Sequence, residues 1–265
     1  RWYVRHIWPN ARWTNAEIRA MKTSRAEYRD LGLIDYEQAW ELQRSLFEGL
    51  LARKAQPNAK GNVVNEATTA EALSSDEAGY VLLCEHKPVY TLGKSGHKEN
   101  LLFTEALLRQ IGATFYHIDR GGDVTFHGPG QIVGYPIIDL EKLGIGLRDY
   151  ISALEQSVID CVAEYGIQAG RMEGAAGVWI VEEGRAPRKI CAIGVRSSRF
   201  VTMHGFALNV ATDLRYFTYI NPCGFADRGV CSIESEVGHK VSIEEVKAKI
   251  INYLEKNLNV KIYKN

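Results

Sequence analysis

The sequence lacks the patterns that usually mark metal sites, disulfide frameworks and membrane spans. It has no CxxC pair and no HExxH pair, and no apolar run approaches the ~20 residues that a bilayer requires. Its five cysteines are an odd number without regular spacing. We therefore expect no metal, no membrane partner and a reducing, cytoplasmic environment in which thiols stay reduced.

The usual phosphate-binding loops are also missing. Neither GxxxxGK[ST] nor GxGxxG occurs in the chain, which weighs against a nucleotide-using enzyme without excluding one. Lysine plus arginine and aspartate plus glutamate both number 32. This balance does not favour nucleic acid as a partner, and no cofactor is expected.

What the sequence does contain is a series of short apolar segments separated by helical patterns. Apolar residues recur at helical spacing over residues 36–52, 147–165 and 246–258, and a further helix is expected to end near Gly112. Short strands are predicted at 80–84, 89–93, 114–118, 131–140, 177–181, 189–196, 200–210 and 260–263. This mixture predicts an α+β fold with a mixed β-sheet core flanked by helices.

Two segments differ from the rest of the chain. Residues 1–20 are aromatic and basic without a clear period, and two interpretations remain open: an extension before a true start at Met21, or an ordered arm packed on the domain. Residues 56–78 are polar and contain no aromatic residue, which predicts a surface insertion. No linker is evident elsewhere, so residues 21–265 are predicted to form one domain.

The most unusual stretch is Arg120–Gln131. It places four glycines, a proline, an arginine and a histidine within twelve positions, between two apolar segments. One interpretation is a structural turn between strands. The other is a backbone cradle for a substrate, because glycines allow close approach of the main chain to a ligand.

The residues with reactive side chains are a cysteine on a predicted turn and a lysine at a strand start. Cys223 lies between Pro222 and Gly224, where a thiol is more exposed than on the apolar helix stripe that holds Cys161. Lys189 is either a solvated surface charge or a cation that points into a cleft beside an inner strand. A cation beside a thiol favours the thiolate, the form that attacks carbonyls.

Taken together, these segments resemble the octanoyl-[acyl-carrier-protein]:protein N-octanoyltransferase, or lipoyl(octanoyl)transferase, family of the biotin/lipoate protein ligase-like superfamily. The resemblance extends from about Leu31 to the end of the chain. It is carried by Leu31–Tyr36, Glu85–Gly93, Arg120–Gln131, Lys189–Arg196, Thr202–Asn209 and Pro222–Gly224.

The resemblance implies a fold and a set of roles. The fold is that of the catalytic domains of lipoate and biotin protein ligases, and the reaction is octanoyl transfer in lipoate biosynthesis. Cys223 corresponds to the nucleophile that carries the acyl group as a thioester, and Lys189 to the lysine that activates it. The residues that correspond to the substrate-binding positions are Arg120, Gly121, Gly122, Asp123, Val124, Thr125, Phe126, His127, Ala192, Ile193, Gly194, Gly205, Phe206 and Ala207.

The implied partners are octanoyl-acyl carrier protein as the donor, and lipoyl domains of 2-oxoacid dehydrogenase complexes and the glycine cleavage H protein as acceptors. Two alternatives remain open. One is an ATP-dependent lipoate or biotin ligase of the same fold, and the other is a non-catalytic protein that binds acyl chains. We expect Arg120 and His127 to orient their loop and not to act as acid or base.

Overall fold

The fold is built on a mixed sheet with a helical layer on each face, as a computed structural model shows for residues 24–55, 77–221 and 228–264. The strands are β1 (Arg25–Ile34), β2 (Glu77–His86), β3 (Val89–Leu92), β4 (Thr114–His117), β5 (Val124–His127), β6 (Gln131–Ile138), β7 (Gly170–Met172), β8 (Ala175–Ile180), β9 (Arg188–Ser198), β10 (Val201–Asn209), β11 (Gly229–Val230) and β12 (Lys261–Lys264). The α-helices are α1 (Tyr36–Ala55), α2 (Glu105–Ile111), α3 (Leu140–Leu143), α4 (Leu147–Ala163), α5 (Ile233–Val237) and α6 (Ile243–Leu258), and the 3₁₀ helices are Lys98–Asn100 and Leu214–Tyr219.

Within the described residues, nine strands form the main sheet in the order β12-β1-β2-β6-β10-β9-β8-β7, with β11 paired to β9. The strand β1 is parallel to both of its neighbours, whereas β2, β6, β10, β9 and β8 are joined by antiparallel pairings. This arrangement confirms the predicted mixed sheet. It also places β9 and β10 inside the sheet, each with a strand on both sides.

Alternation along the inner strands explains why both faces are apolar. On β2, Val81 and Leu83 belong to the core beneath α4 and α6, whereas Tyr80 and Leu82 belong to the core beneath α1. Successive side chains of a strand point to opposite faces, so a continuous apolar run needs cover on both sides. The predicted strand at 80–84 is therefore a central one.

The predicted long helices are confirmed, and their apolar stripes face the sheet. Leu154 and Cys161 of α4 are fully buried in the core that α4 shares with α6. The last helix is capped as its sequence indicates, because the side chain of Ser242 accepts a hydrogen bond from the backbone N–H of Glu245 at 3.3 Å. Since Cys161 lies on this stripe, the interpretation that it is a packing residue is confirmed.

A second, three-stranded sheet lies beside the main one in the order β4-β3-β5. It has a core of its own, in which Phe126 stacks on Tyr216 with ring centroids 4.5 Å apart. The loop that leads into β5 contacts the main sheet, where the N–H of Gly121 donates to the carbonyl of Val195 at 3.0 Å. The two sheets thus border a cleft whose position is set by the glycine-rich stretch.

Four strands, β1, β5, β7 and β11, were not predicted, and β2 begins earlier than expected. The strand β1 was not predicted, because Arg25–Ile34 alternates charged and apolar residues irregularly and contains Gly32. Glu77 and Ala78, assigned from sequence to the polar insertion, begin β2 and are buried. The remainder of that insertion, residues 56–76, and the predicted extension, residues 1–20, lie outside the described residues.

The helices of the described chain include none that is both long enough and apolar enough to cross a bilayer.

The turn before β6 provides a test of the fold. Gly130 has a φ of +81°, and a Cβ there would lie 2.5 Å from the carbonyl oxygen of Ala211. We expect Gly130→Ala to lower the free energy of unfolding by about 3 kcal/mol, through backbone strain and this clash. Urea denaturation would measure the loss.

The matched control is Gly144→Ala. Gly144 has a φ of +67°, but a Cβ there meets nothing within 4 Å. Only the left-handed backbone penalty of about 1 kcal/mol then applies. Equal losses for the two variants would contradict the proposed close contact at Gly130.

Candidate active site

A cleft of about 710 Å³ lies between the main sheet and the smaller one. This volume is in the range of pockets that bind small organic ligands. Its walls come from widely separated parts of the chain, from Tyr36 at the start of α1 to Val230 in β11. The cleft is therefore a product of the tertiary fold and not of one local motif.

Small residues of two adjacent strands form the floor of the cleft. Ala192 pairs with Ala207, and Gly194 pairs with Gly205, in the antiparallel ladder between β9 and β10. All four line the cleft. Because these residues have little or no side chain, a ligand can approach the sheet closely and lie along the strands.

The glycine-rich loop forms one wall, and Arg120 fixes it in place. The Arg120 guanidinium donates to the carbonyl and the hydroxyl of Thr91, at 2.8 and 3.0 Å, and to the carbonyl of Gly121 at 3.0 Å. Arg120 is only 8 % exposed. Its donors are directed at protein oxygens, which agrees with the expectation that it orients the loop.

A hydrogen-bonded network of neutral side chains continues from this wall. His127 Nδ1 lies 2.8 Å from the amide oxygen of Gln131, and Gln131 Nε2 donates to the carbonyl of Phe126 and to Asn209 Oδ1. Since an amide oxygen only accepts, Nδ1 carries the proton and Nε2 is left as the acceptor. Nε2 lies 3.5 Å from the hydroxyl of Thr91, which links this network to Arg120.

Two buried histidines in this region are held in the neutral state. Burial lowers the pKa of His127 to about 3, helped by the nearby His86 ring. Burial likewise lowers the pKa of His86 to about 4. His86 Nδ1 faces the carbonyl of Ile34 at 3.0 Å, so Nε2 accepts from the hydroxyl of Tyr135 at 2.7 Å.

Lys189 lies on one of the two strands that supply the floor of the cleft. It stands near the beginning of the inner strand β9, is half-buried, and lines the cleft. Its ammonium lies 4.6 Å from the centroid of the Trp179 ring, within the range of a cation–π contact. Lys189 is therefore among the residues that face the cleft.

The remaining wall is a loop organised by Asp123. One carboxylate oxygen accepts from the backbone N–H of His97 at 3.2 Å, and the other accepts from the side-chain amide of Asn100 at 2.6 Å. Asn100 in turn accepts a hydrogen bond at its carbonyl from the N–H of Asn221. This connection brings the described chain to the edge of the cleft just before Pro222.

The structure brings most of the predicted site residues together. The predicted residues that line the cleft are Arg120, Gly122, Asp123, Val124, Thr125, His127, Lys189, Ala192, Ile193, Gly194, Gly205, Phe206 and Ala207.

Two predicted substrate-binding residues, Gly121 and Phe126, do not line the cleft. The Phe126 ring points the other way along β5, where it is 1 % exposed in the core of the small sheet. Alternation along the strand explains the difference, because Thr125 and His127 take the cleft-facing positions. Gly121 is the part of the loop that contacts β9. Its carbonyl oxygen would be 2.8 Å from a Cβ on Gly194.

The predicted nucleophile, Cys223, lies outside the described residues. Cys84, Cys161, Cys191 and Cys231 are buried, and burial raises the pKa of each thiol. A thiol that is held protonated in an apolar core is a poor nucleophile. Cys191 packs in the main core, where its side chain is fully buried.

Several residues of the cleft were not predicted from the sequence. Tyr36, Gln131, Tyr135, His204 and Asn209 also line it. His204 and Asn209 stand within one of the motifs used for the resemblance, but nothing in that motif shows which side chains turn inward. Among the described residues, no group of three or more His, Cys, Asp or Glu side chains is placed to hold a metal ion.

Comparison with known proteins agrees with this geometry. Residues 35–255 match the family model described as the lipoyl protein ligase A/B catalytic domain. The chain is 50% identical over 221 residues to an octanoyltransferase of Bacteroides fragilis, covering 83% of this chain and 92% of the relative. A second octanoyltransferase, from Bacteroides thetaiotaomicron, is also 50% identical, over 88% of this chain and 95% of the relative.

A solved structure has the same fold at low sequence identity. It is a bipartite lipoate protein ligase from Thermoplasma acidophilum, described together with its E2 lipoyl domain. Its TM-score is 0.62 at 14% identity, over 92% of this chain and 87% of that one. The likeness confirms the predicted lipoate-ligase fold.

The lowered pKa values of the two buried histidines make the free energy of unfolding depend on pH. Unfolded histidines titrate near pH 6.5, whereas His127 and His86 titrate at about 3 and about 4 in the fold. Between these values the unfolded chain binds more protons, so the free energy of unfolding decreases as pH falls. Each ring accounts for a loss of about 2 kcal/mol between pH 7 and 5.

Urea denaturation at several pH values would test this dependence. We expect His127→Gln to lose about 2 kcal/mol less than the wild type between pH 7 and 5. His239→Gln is the control, because His239 is exposed. If His127→Gln followed the wild-type pH dependence, His127 would not be held neutral in the fold.

Proposed function

The chain belongs to the lipoyl protein ligase A/B catalytic domain family and is an acyltransferase of octanoyl transfer in lipoate biosynthesis, and we propose that Cys223 carries the octanoyl group as a thioester. The observation that carries this proposal is the cleft itself. It places Lys189 beside the small residues of β9 and β10 and the glycine-rich loop. The described residues that flank the Cys223 segment reach the same cleft, through Asn221 and Val230.

In the first step, octanoyl-acyl carrier protein delivers its acyl group. The thiolate of Cys223 attacks the thioester carbonyl, a new C–S bond forms and the C–S bond to the carrier breaks. The carrier leaves as a thiolate, which takes up the proton that Cys223 lost. The negative charge that develops on the carbonyl oxygen is stabilised by N–H donors of the glycine-rich backbone. The octanoyl chain then lies over Ala192 and Ala207, where the floor has no bulky side chain.

In the second step, a lysine of a lipoyl domain accepts the octanoyl group. The acceptors are lipoyl domains of 2-oxoacid dehydrogenase complexes and the glycine cleavage H protein. The amine attacks the thioester, the C–N bond forms and the C–S bond breaks. The proton that the amine loses returns to the sulfur of Cys223.

Lys189 acts in both steps. Its position on an inner strand, half-buried and cleft-lining, supports this role. The positive charge favours ionisation of a nearby thiol. It also provides a group that can exchange protons with the incoming amine when its own pKa is lowered by a bound, water-excluding substrate.

The energetics explain why this reaction requires no nucleotide. Exchange of one thioester for another is nearly thermoneutral, and conversion of a thioester into an amide is favourable. The acyl carrier thioester therefore supplies the free energy that a ligase obtains from ATP. Transfer that required ATP would instead identify the ligase of the same fold.

The covalent intermediate can be observed directly. After incubation with octanoyl-acyl carrier protein and no acceptor, we expect the wild type to gain the mass of one octanoyl group by intact mass spectrometry. Cys223→Ser should accumulate no thioester and lose transfer at least a thousandfold, because an alcohol is far less nucleophilic at neutral pH. Addition of a lipoyl domain should discharge the wild-type adduct without ATP.

The matched control is Cys161→Ser, since Cys161 is buried in the core between α4 and the sheet. It should keep the adduct even if its stability is lower. A normal adduct and normal transfer in Cys223→Ser would contradict the thioester mechanism.

Lys189 can be tested by removing its charge at nearly constant length. We expect Lys189→Met to slow both adduct formation and adduct discharge by about a hundredfold, the scale of a lost acid–base group. Rapid-quench measurements of the two half-reactions would show it. The control is Lys240→Met, at an exposed position, and unchanged rates in Lys189→Met would remove Lys189 from the mechanism.

A further inference from the structure

The end of the cleft nearest to the start of α1 contains a polar cluster that the proposed chemistry does not use. His204 Nε2 lies 2.9 Å from one carboxylate oxygen of Asp119, and the other carboxylate oxygen is bound by the guanidinium of Arg196. The hydrogen bond from His204 lowers the pKa of Asp119. Because an ionised carboxylate only accepts, the His204 ring carries its proton on Nε2.

The cluster holds His204 in an unusual conformation. Its φ is +59°, in the left-handed region that residues other than glycine seldom occupy. Its backbone N–H donates to the side-chain oxygen of Gln43 in α1 at 3.0 Å. The ring is thus fixed from two sides, by α1 through Gln43 and by the loop before β5 through Asp119.

The second ring nitrogen of His204 has no partner among the described residues. His204 is only 1 % exposed and lines the cleft, and its Nδ1 is buried without a hydrogen bond. Burial also lowers the pKa of this histidine, so Nδ1 is an unprotonated acceptor at neutral pH. A buried acceptor without a donor disfavours apolar groups placed against it.

The strand register shows where this acceptor lies relative to Lys189. His204 pairs with Val195 and Gly205 pairs with Gly194, at one end of the floor of the cleft. Lys189 is five residues before Gly194 on β9, roughly 16 Å away at about 3.3 Å per residue. An extended octanoyl chain measures about 9 Å from its carbonyl carbon to its methyl group, at C–C bonds of about 1.5 Å.

The separation of Lys189 and Gly194 along β9 matches the length of an octanoyl chain once the reach of the lysine side chain is included. An acyl group whose carbonyl lies near the Lys189 ammonium extends over Ala192 and Ala207. Its methyl end then lies close to the Gly194–Gly205 pair, one residue short of His204. This placement rests on the proposed function, which assigns Lys189 to the carbonyl end.

We propose that His204, held by Asp119, ends the acyl channel and sets its preference for eight carbons. Each additional buried methylene would otherwise strengthen binding about fourfold. A chain with two more carbons instead brings its methyl group against Nδ1 and leaves that acceptor without a donor. A terminal hydroxyl at the same place satisfies the acceptor, since its O–H donates to Nδ1.

A pair of substrates with the same number of non-hydrogen atoms tests the polarity of the channel end. Nonanoyl and 8-hydroxyoctanoyl groups differ only by a methyl in place of a hydroxyl. We expect the ratio of kcat/KM for 8-hydroxyoctanoyl over nonanoyl transfer to fall at least tenfold in His204→Leu. The ratio for decanoyl over octanoyl transfer should rise at least tenfold in the same variant.

A second variant separates the channel from the fold. His204→Asn suits the left-handed backbone and has a shorter side chain, so it opens the channel even if His204→Leu does not fold. We expect its decanoyl over octanoyl ratio to rise at least threefold. The control is His117→Leu, at an exposed position on β4, which should keep both wild-type ratios.

The outcome separates this inference from the proposed function. All ratios are measured from the amide formed on a lipoyl domain, whichever residue carries the acyl group in between. If the wild type transfers octanoyl but both His204 variants keep both ratios within twofold, His204 does not end the channel. If the wild type forms no octanoyl amide at all, the proposed function itself is wrong.

Discussion

The close backbone contact between the glycine-rich loop and β9 is the constraint on which the site depends. A Cβ on Gly194 would lie 2.8 Å from the carbonyl oxygen of Gly121, and one on Gly93 would lie 2.3 Å from that of Gly122. A side chain at Gly194 would push the loop away from β9, and one at Gly93 would push it away from the end of β3. The glycines therefore let the small sheet approach the main one, and the cleft keeps a floor of bare backbone where a carbonyl can be bound.

Neutral hydrogen bonds stabilise this contact more than ion pairs do. Arg120 is charged, but it also acts through hydrogen bonds, since its guanidinium donates to Thr91 and to Gly121. His127, Gln131 and Asn209 form a linked series with no net charge. Because each member is buried, a partner lost from one member leaves another unsatisfied. The network therefore acts as one rigid wall and keeps its geometry when a substrate displaces water.

The fold class could be predicted because its signals are local, whereas the site residues were proposed from the resemblance of several motifs to a known family. A helical stripe such as that of Leu154 and Cys161, or an apolar strand such as β2, depends on neighbours in sequence. The contact of His204 with Asp119 joins residues 85 positions apart, and no local pattern indicates it. The position of Phe126 in the core of the small sheet could not be predicted for a related reason: a motif identifies a stretch, whereas the pairing of the small sheet decides which side chains face the cleft.

Among the described residues that line the cleft, Arg120 has a structural role, whereas Lys189 is proposed to take part in the reaction. Arg120 lies where the backbone offers carbonyl oxygens, and its planar group binds several of them at once. Lys189 carries a compact charge on a flexible stem and stands at the start of an inner strand, beside the face of Trp179. A lysine can lose its proton when it is desolvated, whereas an arginine cannot. An exchange of these two side chains would therefore place a permanent charge where proton transfer is needed and a point charge where the loop needs a planar clamp.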